Sequence, residues 1–308
     1  MAHTSKLAMR GVALFGASVM ALGLGACSGG KSDSSSGASG GQVTVEMWDY
    51  LSGDTANSSI EASIAEFEKA NPDIKVKRTT FAFADLSKSI LQGSVGGEVP
   101  DVAVVDVVDN QNFASLGMLK DLSGDGINKS DFFDGPWSSV EFDGKTYGIP
   151  LNSNNLALYY NKTMLKEAGV EVPTDWASLK EAAKKTTKGD VKGLAISAVK
   201  NESGTFQLLP FVWQTGGDMS NYSESGATAL AYLRGMIEDG SVSEAVVNYT
   251  QEDARTQFIT GKAAMMINGP WELSTLNKDA EIEWDVAPLP KDKRAATSMG
   301  GENVVVMN

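Results

Sequence analysis

From Val43 to the end of the chain, short apolar runs of β type alternate with segments whose apolar residues recur at helical spacing, and this alternation constrains the fold more than any other feature. Val43 to Trp48 reads as a strand, and Ile60, Ile64 and Phe67 then share one helical face until Asn71-Pro72 stops the helix. Ile74 to Thr80 is the next strand, a short helix surrounds Leu86 to Leu91, and Val102 to Asp106 is the continuous apolar run of a strand buried on both faces. A βαβαβ opening of this kind builds a parallel sheet covered by helices. The pattern resumes after Tyr147. Leu156 to Tyr160 is extended, and Pro173-Thr174 caps a helix with Trp176, Leu179 and Ala183 on one face. Helical stretches follow at Phe206 to Trp213, along Leu230, Leu233 and Ile237, and around Ala254 and Phe258. Ala263 to Ile267 is a further strand, and Pro270 suits the first turn of a helix. The middle of the chain is thus a second α/β unit.

With 308 residues, 42% of them hydrophobic, there is enough chain for one large or two moderate cores. The net charge of −13 excludes a general nucleic-acid binder, which needs clustered positive charge to neutralise phosphates. The only histidine is His3 and the only cysteine is Cys27. Lys6 and Arg10, followed by the apolar run Gly11 to Leu24, form an export signal too short to span a bilayer comfortably. Leu24-Gly25-Ala26-Cys27 resembles the lipobox of bacterial lipoproteins, in which the cysteine thiol takes a diacylglycerol. Residues 1–26 are therefore read as signal peptide. Residues 27–42, the lipidated cysteine and a Ser/Gly-rich coil, are read as a tether. After cleavage the chain has no histidine and no free thiol, which removes Ser-His-Asp triads, cysteine nucleophiles and histidine-rich zinc sites. No phosphate-cradling glycine motif follows any strand. Asp121 to Gly126 has a calcium-loop start, but its twelfth position is Phe132 rather than a bidentate acid, so it reads as a polar turn.

Several ordered segments carry a family resemblance. They are Glu66 to Val76, Val99-Pro-Asp-Val102, Tyr147-Gly-Ile-Pro150, Tyr159-Tyr-Asn-Lys162, the Pro173 to Glu181 helix opening, Phe258 to Trp271, and Ala287-Pro-Leu-Pro290. Together, from about Val43 onward, they resemble the extracellular solute-binding proteins of ABC sugar importers, family 1, similar to maltose-binding protein. The resemblance implies an α/β, two-lobed periplasmic-binding-protein-like fold of type II. Residues 43–152 plus 289–308 would form lobe 1 and residues 153–288 lobe 2. The first crossing would lie in Ile149 to Tyr160, the second near Trp284 to Pro288, and Gly300 to Val306 would return to lobe 1 as a strand. Relatives continue with further helices and a third crossing, so the resemblance implies a chain truncated at its C-terminus, with those helices missing.

The implied function is binding rather than catalysis. A carbohydrate, an oligosaccharide or a related sugar, would sit between the lobes and pass to the membrane permease subunits, with no cofactor and no metal. The protein would act as a lipid-anchored monomer on the outer face of the bacterial cell membrane, with no nucleic acid as partner. Sugar recognition calls for flat aromatic platforms against C–H faces and for amides and carboxylates aimed at hydroxyls. Residues of those types lie at predicted strand ends, where ligands of open α/β sheets bind. They are Trp48, Asp49 and Tyr50 after the first strand, and Asp106 and Asp109 after the third. Asn154 and Asn155 lie at the first crossing, and Trp213 on a second-lobe helix beside Phe206. Asn268 and Trp271 follow the strand at Ala263, and Gly301, Glu302 and Asn303 lie where relatives bring lobe 1 to the ligand. Each has a plainer alternative: core packing for the tryptophans, helix capping or turn formation for the acids and asparagines, a tight turn for the glycine pair. Trp137, Trp176 and Trp284 are assigned to cores. Two other functions stay open at this point, a receptor for a peptide or polyamine and a surface glycoside hydrolase working through two carboxylates.

Overall fold

The computed structural model describes residues 42–308. The signal segment 1–26, Cys27 and all but the last residue of the 27–42 tether lie outside the described residues.

In chain order the elements are β1 (Val43–Asp49), α1 (Asp54–Ala70), β2 (Ile74–Thr80), α2 (Phe83–Gly96), β3 (Val102–Asp106), α3 (Val107–Ser115), α4 (Asp134–Ser138), β4 (Glu141–Phe142), β5 (Lys145–Thr146), β6 (Ile149–Pro150) and β7 (Asn154–Asn155). There follow β8 (Ala157–Asn161), α5 (Lys162–Glu167), α6 (Trp176–Thr186), β9 (Lys192–Ala195), α7 (Glu202–Gln214), α8 (Tyr222–Glu238), α9 (Gln251–Ile259), β10 (Ala263–Asn268), α10 (Leu273–Asp279), β11 (Trp284–Ala287), β12 (Met299–Gly300) and β13 (Glu302–Val306).

Two sheets organise these elements. The first runs β2-β1-β3-β13-β6, with β1 parallel to β2 and β3, and β13 antiparallel to both of its neighbours. The second runs β11-β8-β10-β9. The parallel pairs arise because each strand is followed by a helix that carries the chain back across the sheet. Burial follows from the pleat. In β10 all six residues are buried, and successive side chains serve opposite faces. Met265 joins Leu158, Leu179, Leu194 and Phe211 on one face, while Met266 joins Tyr159, Phe258 and Leu276 on the other. The first sheet has its own core, in which Leu86 and Ile90 of α2 and Phe113 of α3 pack on Val105 and Val305. Each such side chain contributes about 1.5–3 kcal/mol on burial. Trp137 and Trp176 are core residues as expected, at 3% and 9% exposure, and half-buried Trp284 lies 6.0 Å from the Tyr159 ring.

Three expectations are corrected. The α6 cap is Asp175, which accepts from the Ser178 amide while the Ser178 hydroxyl accepts from the Asp175 amide, so the cap lies one residue beyond Pro173-Thr174 and the helix starts at Trp176. The apolar stripe of α1 is only partly covered: none of its residues is buried and Phe67 is 44% exposed. The return to the first sheet comes later than Trp284 to Pro288, because β11 pairs along β8 within the second sheet. Beyond it the chain stays on that half. Lys291 bridges to Asp175, the Lys293 amide donates to the Gln214 carbonyl, and the Gln214 amide donates to the Ala296 carbonyl. Residues 289–297 therefore belong with the second sheet rather than the first. The outward crossing at β7 and the return crossing at β12 pair with each other as a two-stranded ribbon, Asn154 against Gly300 and Asn155 against Met299.

Candidate functional site

The ribbon brings the C-terminal ends of first-sheet strands against the start of α7 in the second half. Ser298 Oγ donates to the Phe206 carbonyl at 2.7 Å, and Gly300 lies so close to the Phe206 ring and to Asn154 Oδ1 that a Cβ there would overlap both. Asn154 Oδ1 itself is buried without a hydrogen-bond partner. Two residues further on, Glu302 is 9% exposed and accepts from Tyr50 Oη at 3.0 Å. The Tyr50 ring is half-buried and meets Phe83 edge-on at 4.9 Å.

Asp106 stands directly opposite Glu302 in the β3–β13 ladder. Like charges in that relation repel, and burial leaves little water to screen them. The Asp106 carboxyl is pushed up to about 7, first by burial and then by Glu202, Glu302 and Asp109, against the Val108 amide that donates to it at 2.9 Å. Glu202, in the first turn of α7, is likewise pushed up to about 7 by burial and by Asp109. Burial also raises Asp109 and Glu302, while Ser87 Oγ donates to Asp109 at 3.0 Å. The Tyr50 hydroxyl is raised well above its ordinary value by burial and by Glu302. Among the described residues no lysine or arginine lies within salt-bridge distance of these four carboxylates. The other buried acids differ, since Asp49 pairs with Arg78 and Glu272 with Arg255.

The second half supplies rings. Phe206 follows Glu202 by one turn of α7, and its centroid is 6.2 Å from that of Trp271. Trp271 lies in a 3-10 turn, Pro270–Glu272, whose proline occupies the first turn as its fixed φ favours. Its indole covers Gly269, where any Cβ would strike the ring, and the residue remains 38% exposed. Trp213 is half-buried on the same face of α7 but two turns further along, with its carbonyl taken by Arg294 Nε at 2.6 Å.

The structure thus gathers Tyr50, Asp106, Asp109, Asn154 and Glu302 from the first half and its ribbon, and Trp271 from the second. Other expected site residues are engaged internally. Asp49 is fully buried, with Arg78 Nε at 2.5 Å, Arg78 Nη2 at 2.8 Å and the Leu51 amide at 2.8 Å occupying both oxygens. Trp48 packs on Phe81 at 4.9 Å beside the first core. Asn268 is fully buried, donating to the Gln251 carbonyl and to Glu272 and accepting from the Gly269 amide. Asn303 is fully buried as well and donates to Asn110 Oδ1 and Ser139 Oγ. Asn268 therefore holds the start of α9 to β10, and Asn303 ties β13 to the side chains of Asn110 and Ser139. Gly301 contributes close approach, though to the chain itself, because its φ of 140° lets the backbone pass against the Asn152 carbonyl. Asn155 is exposed on the ribbon. Sequence reasoning missed Glu202, whose only local signal is the helix start after Asn201; Phe206, read as packing, does pack half-buried against the second core, and it also neighbours Trp271.

Among the described residues no group of three or more His, Cys, Asp or Glu side chains is placed to hold a metal ion. The Asp121 turn is closed by Ser123 and Lys145, and hydrogen bonds from Ser123 hold its carboxyl down to about 2. An apolar groove of ≈ 550 Å³ between α7 and α8, lined by Leu208, Leu230, Leu233 and Ile237, reaches Asn201 and Gly204 beside Glu202 and carries no aromatic ring.

Residues 62–308 match the family model described as bacterial extracellular solute-binding protein. A putative binding protein of Brucella abortus is 28% identical over 279 residues, covering 86% of this chain and 67% of the relative. The maltodextrin-binding protein of Bacillus subtilis is 28% identical over 303 residues, covering 92% and 68%. Among solved structures, the GacH receptor of Streptomyces glaucescens, known with acarbose, superposes with a TM-score of 0.74 at 30% identity, covering 86% of this chain and 71% of that one. A maltose-bound protein of Thermotoga maritima gives 0.77 at 27%, covering 86% and 72%. The chain thus spans about two thirds of the length of these proteins. With more than half of its residues inside the family match, a two-domain α/β frame shared with these receptors, and cores that sit on two separate sheets, the chain belongs to the bacterial extracellular solute-binding proteins.

Proposed function

We propose that this chain is the solute-binding component of an ABC importer and that it holds an oligosaccharide between its two sheet-based lobes before passing it to a membrane permease. The reading rests on two chemistries brought together where the β7–β12 ribbon meets α7. Phe206 and Trp271 on the second lobe offer ring faces to sugar C–H surfaces, and Tyr50, Asp106, Asp109 and Glu302 on the first offer acceptors to hydroxyls. The relatives named for maltodextrin and maltose support it. The lobes divide at the β7–β12 ribbon, with 43–152 and the β13 return on one side and 153–297 on the other. Export and attachment through Cys27 belong to the same proposal, as does a receptor without catalytic activity.

Solute contacting both lobes favours the closed clamp by its differential affinity for the closed over the open form. The test is calorimetric titration with a panel of maltodextrins. Maltotriose is expected to bind, and Trp271→Ala to weaken it at least tenfold, about 1.4 kcal/mol. Unaltered affinity in Trp271→Ala would remove the platform. A cationic solute is the competing reading, favoured by four carboxylates, Glu302 buried and the other three half-buried, with no lysine or arginine within salt-bridge distance among the described residues. Heats from spermidine and none from any sugar would establish it instead.

A further inference from the structure

Beside the rings and acids, two further contacts join the lobes. Lys278 Nζ donates to Asp54 Oδ2 at 2.8 Å, and Thr55 Oγ1 donates to Ser274 Oγ at 3.2 Å. Asp54 and Thr55 are the first two residues of α1, and Ser274 and Lys278 stand four apart on α10. Residues at that spacing share one helix face, so one face of α10 is turned onto the first turn of α1. The charges are also placed well within their own helices, the acid in a first turn and the lysine in a last turn, where each complements the peptide dipoles.

The elements that meet are direct continuations of the segments carrying the candidate ligand contacts. Tyr50 precedes Asp54 by four residues, and the turn that holds Trp271 runs straight into α10. A movement that brings Trp271 toward the first lobe therefore carries Lys278 toward Asp54.

We infer that Asp54 and Lys278, with Thr55 and Ser274 beside them, form a latch between the lobes that forms on closure and favours the closed clamp; this rests on the two-lobed receptor reading above. Both charged side chains are exposed, 72% for Asp54 and 64% for Lys278. An exposed pair is screened by salt and small in effect. A clamp whose open and closed forms differ by only a few kcal/mol is nevertheless shifted measurably by such a pair. The latch sets the balance between the forms, and the solute supplies the rest.

The test compares the 308-residue chain with Lys278→Asp, Asp54→Lys and the double exchange. Small-angle scattering reads the unliganded clamp, and maltotriose titration reads affinity, each at low salt and at about 1 M salt, where the screening length falls to roughly 3 Å. Either single variant is expected to enlarge the radius of gyration and to weaken maltotriose about two- to fivefold at low salt. The double exchange restores both values, and high salt removes the difference between wild type and single variants. Single variants with unchanged scattering, or a double exchange that restores nothing, would overturn the latch. Absence of maltotriose heats in all four proteins would count against the sugar reading alone, since the scattering comparison still decides the latch.

Discussion

Asp49 and Asp106 look alike in the sequence, each an acid ending an apolar strand, yet the fold gives them opposite roles. Asp49 is met by the guanidinium of Arg78 from the neighbouring strand, two residues before Thr80, the register partner of Asp49, and so on the same face of the sheet. No local pattern announces a partner 29 residues away, so the buried pair was not legible. Asp106 faces Glu302 instead, and Glu202 approaches from the other lobe. The sign of the linkage is set by the upward shifts. Between the ordinary carboxylate range near 4 and about 7, the folded chain holds protons that the unfolded chain has released, so stability falls as pH rises through that window and the penalty is complete above it. Wild type should therefore melt higher at pH 6 than at pH 8. Asp106→Asn keeps a side-chain oxygen for the Val108 amide and removes the charge; together with Glu202→Gln it should raise the melting temperature at pH 8 and flatten the pH dependence. Thermal melts across that range check this, and a double variant that loses stability at pH 8 would mean that the carboxylates are held in a favourable, paired state.

Element by element, legibility tracks length. Strands β1, β2, β3 and β10 each carry at least five residues of apolar or alternating pattern, and the readings placed them within a residue or two. The two-residue strands β4, β5, β6, β7 and β12 offer no period to detect, and among them are both halves of the ribbon that joins the lobes. The position of β13 between β3 and β6 was equally hidden, because pairing across nearly 200 residues leaves no trace in local spacing. Gly300-Gly301 is a place of close approach, with Gly301 passing against the Asn152 carbonyl and Gly300 against the Phe206 ring. A Cβ at Gly301 would lie 2.3 Å from the Asn152 carbonyl, at a φ of 140° that side chains rarely adopt. Gly301→Ala should therefore cost about 1–3 kcal/mol or more in denaturant unfolding and displace the ribbon, loosening maltotriose binding as well. An alanine variant as stable as wild type would show that the ribbon has room to move.

At the scale of the whole molecule, the two sheets share no apolar cluster. Leu86, Phe113 and Val305 belong to one core, and Leu179, Phe211 and Met265 to another. What couples them is the ribbon with Gly300 against the Phe206 ring, the Ser298 contact to α7 and the exposed Asp54–Lys278 edge, joints that are small and largely polar. Such joints are weak beside a core, so the empty clamp should unfold with incomplete cooperativity, its van't Hoff enthalpy falling short of the calorimetric one. A solute gripped from both sides adds a joint that neither lobe can lose alone. With maltotriose at about a hundred times its dissociation constant, linkage raises stability by about 2.7 kcal/mol, and the two enthalpies should converge as the melting point rises. Scanning calorimetry distinguishes this from one-sided binding. A sugar that stacks on Trp271 without reaching Tyr50 and Glu302 would lift only the second lobe, spreading the transition apart rather than drawing it together, and would reduce the first-lobe carboxylates to bystanders.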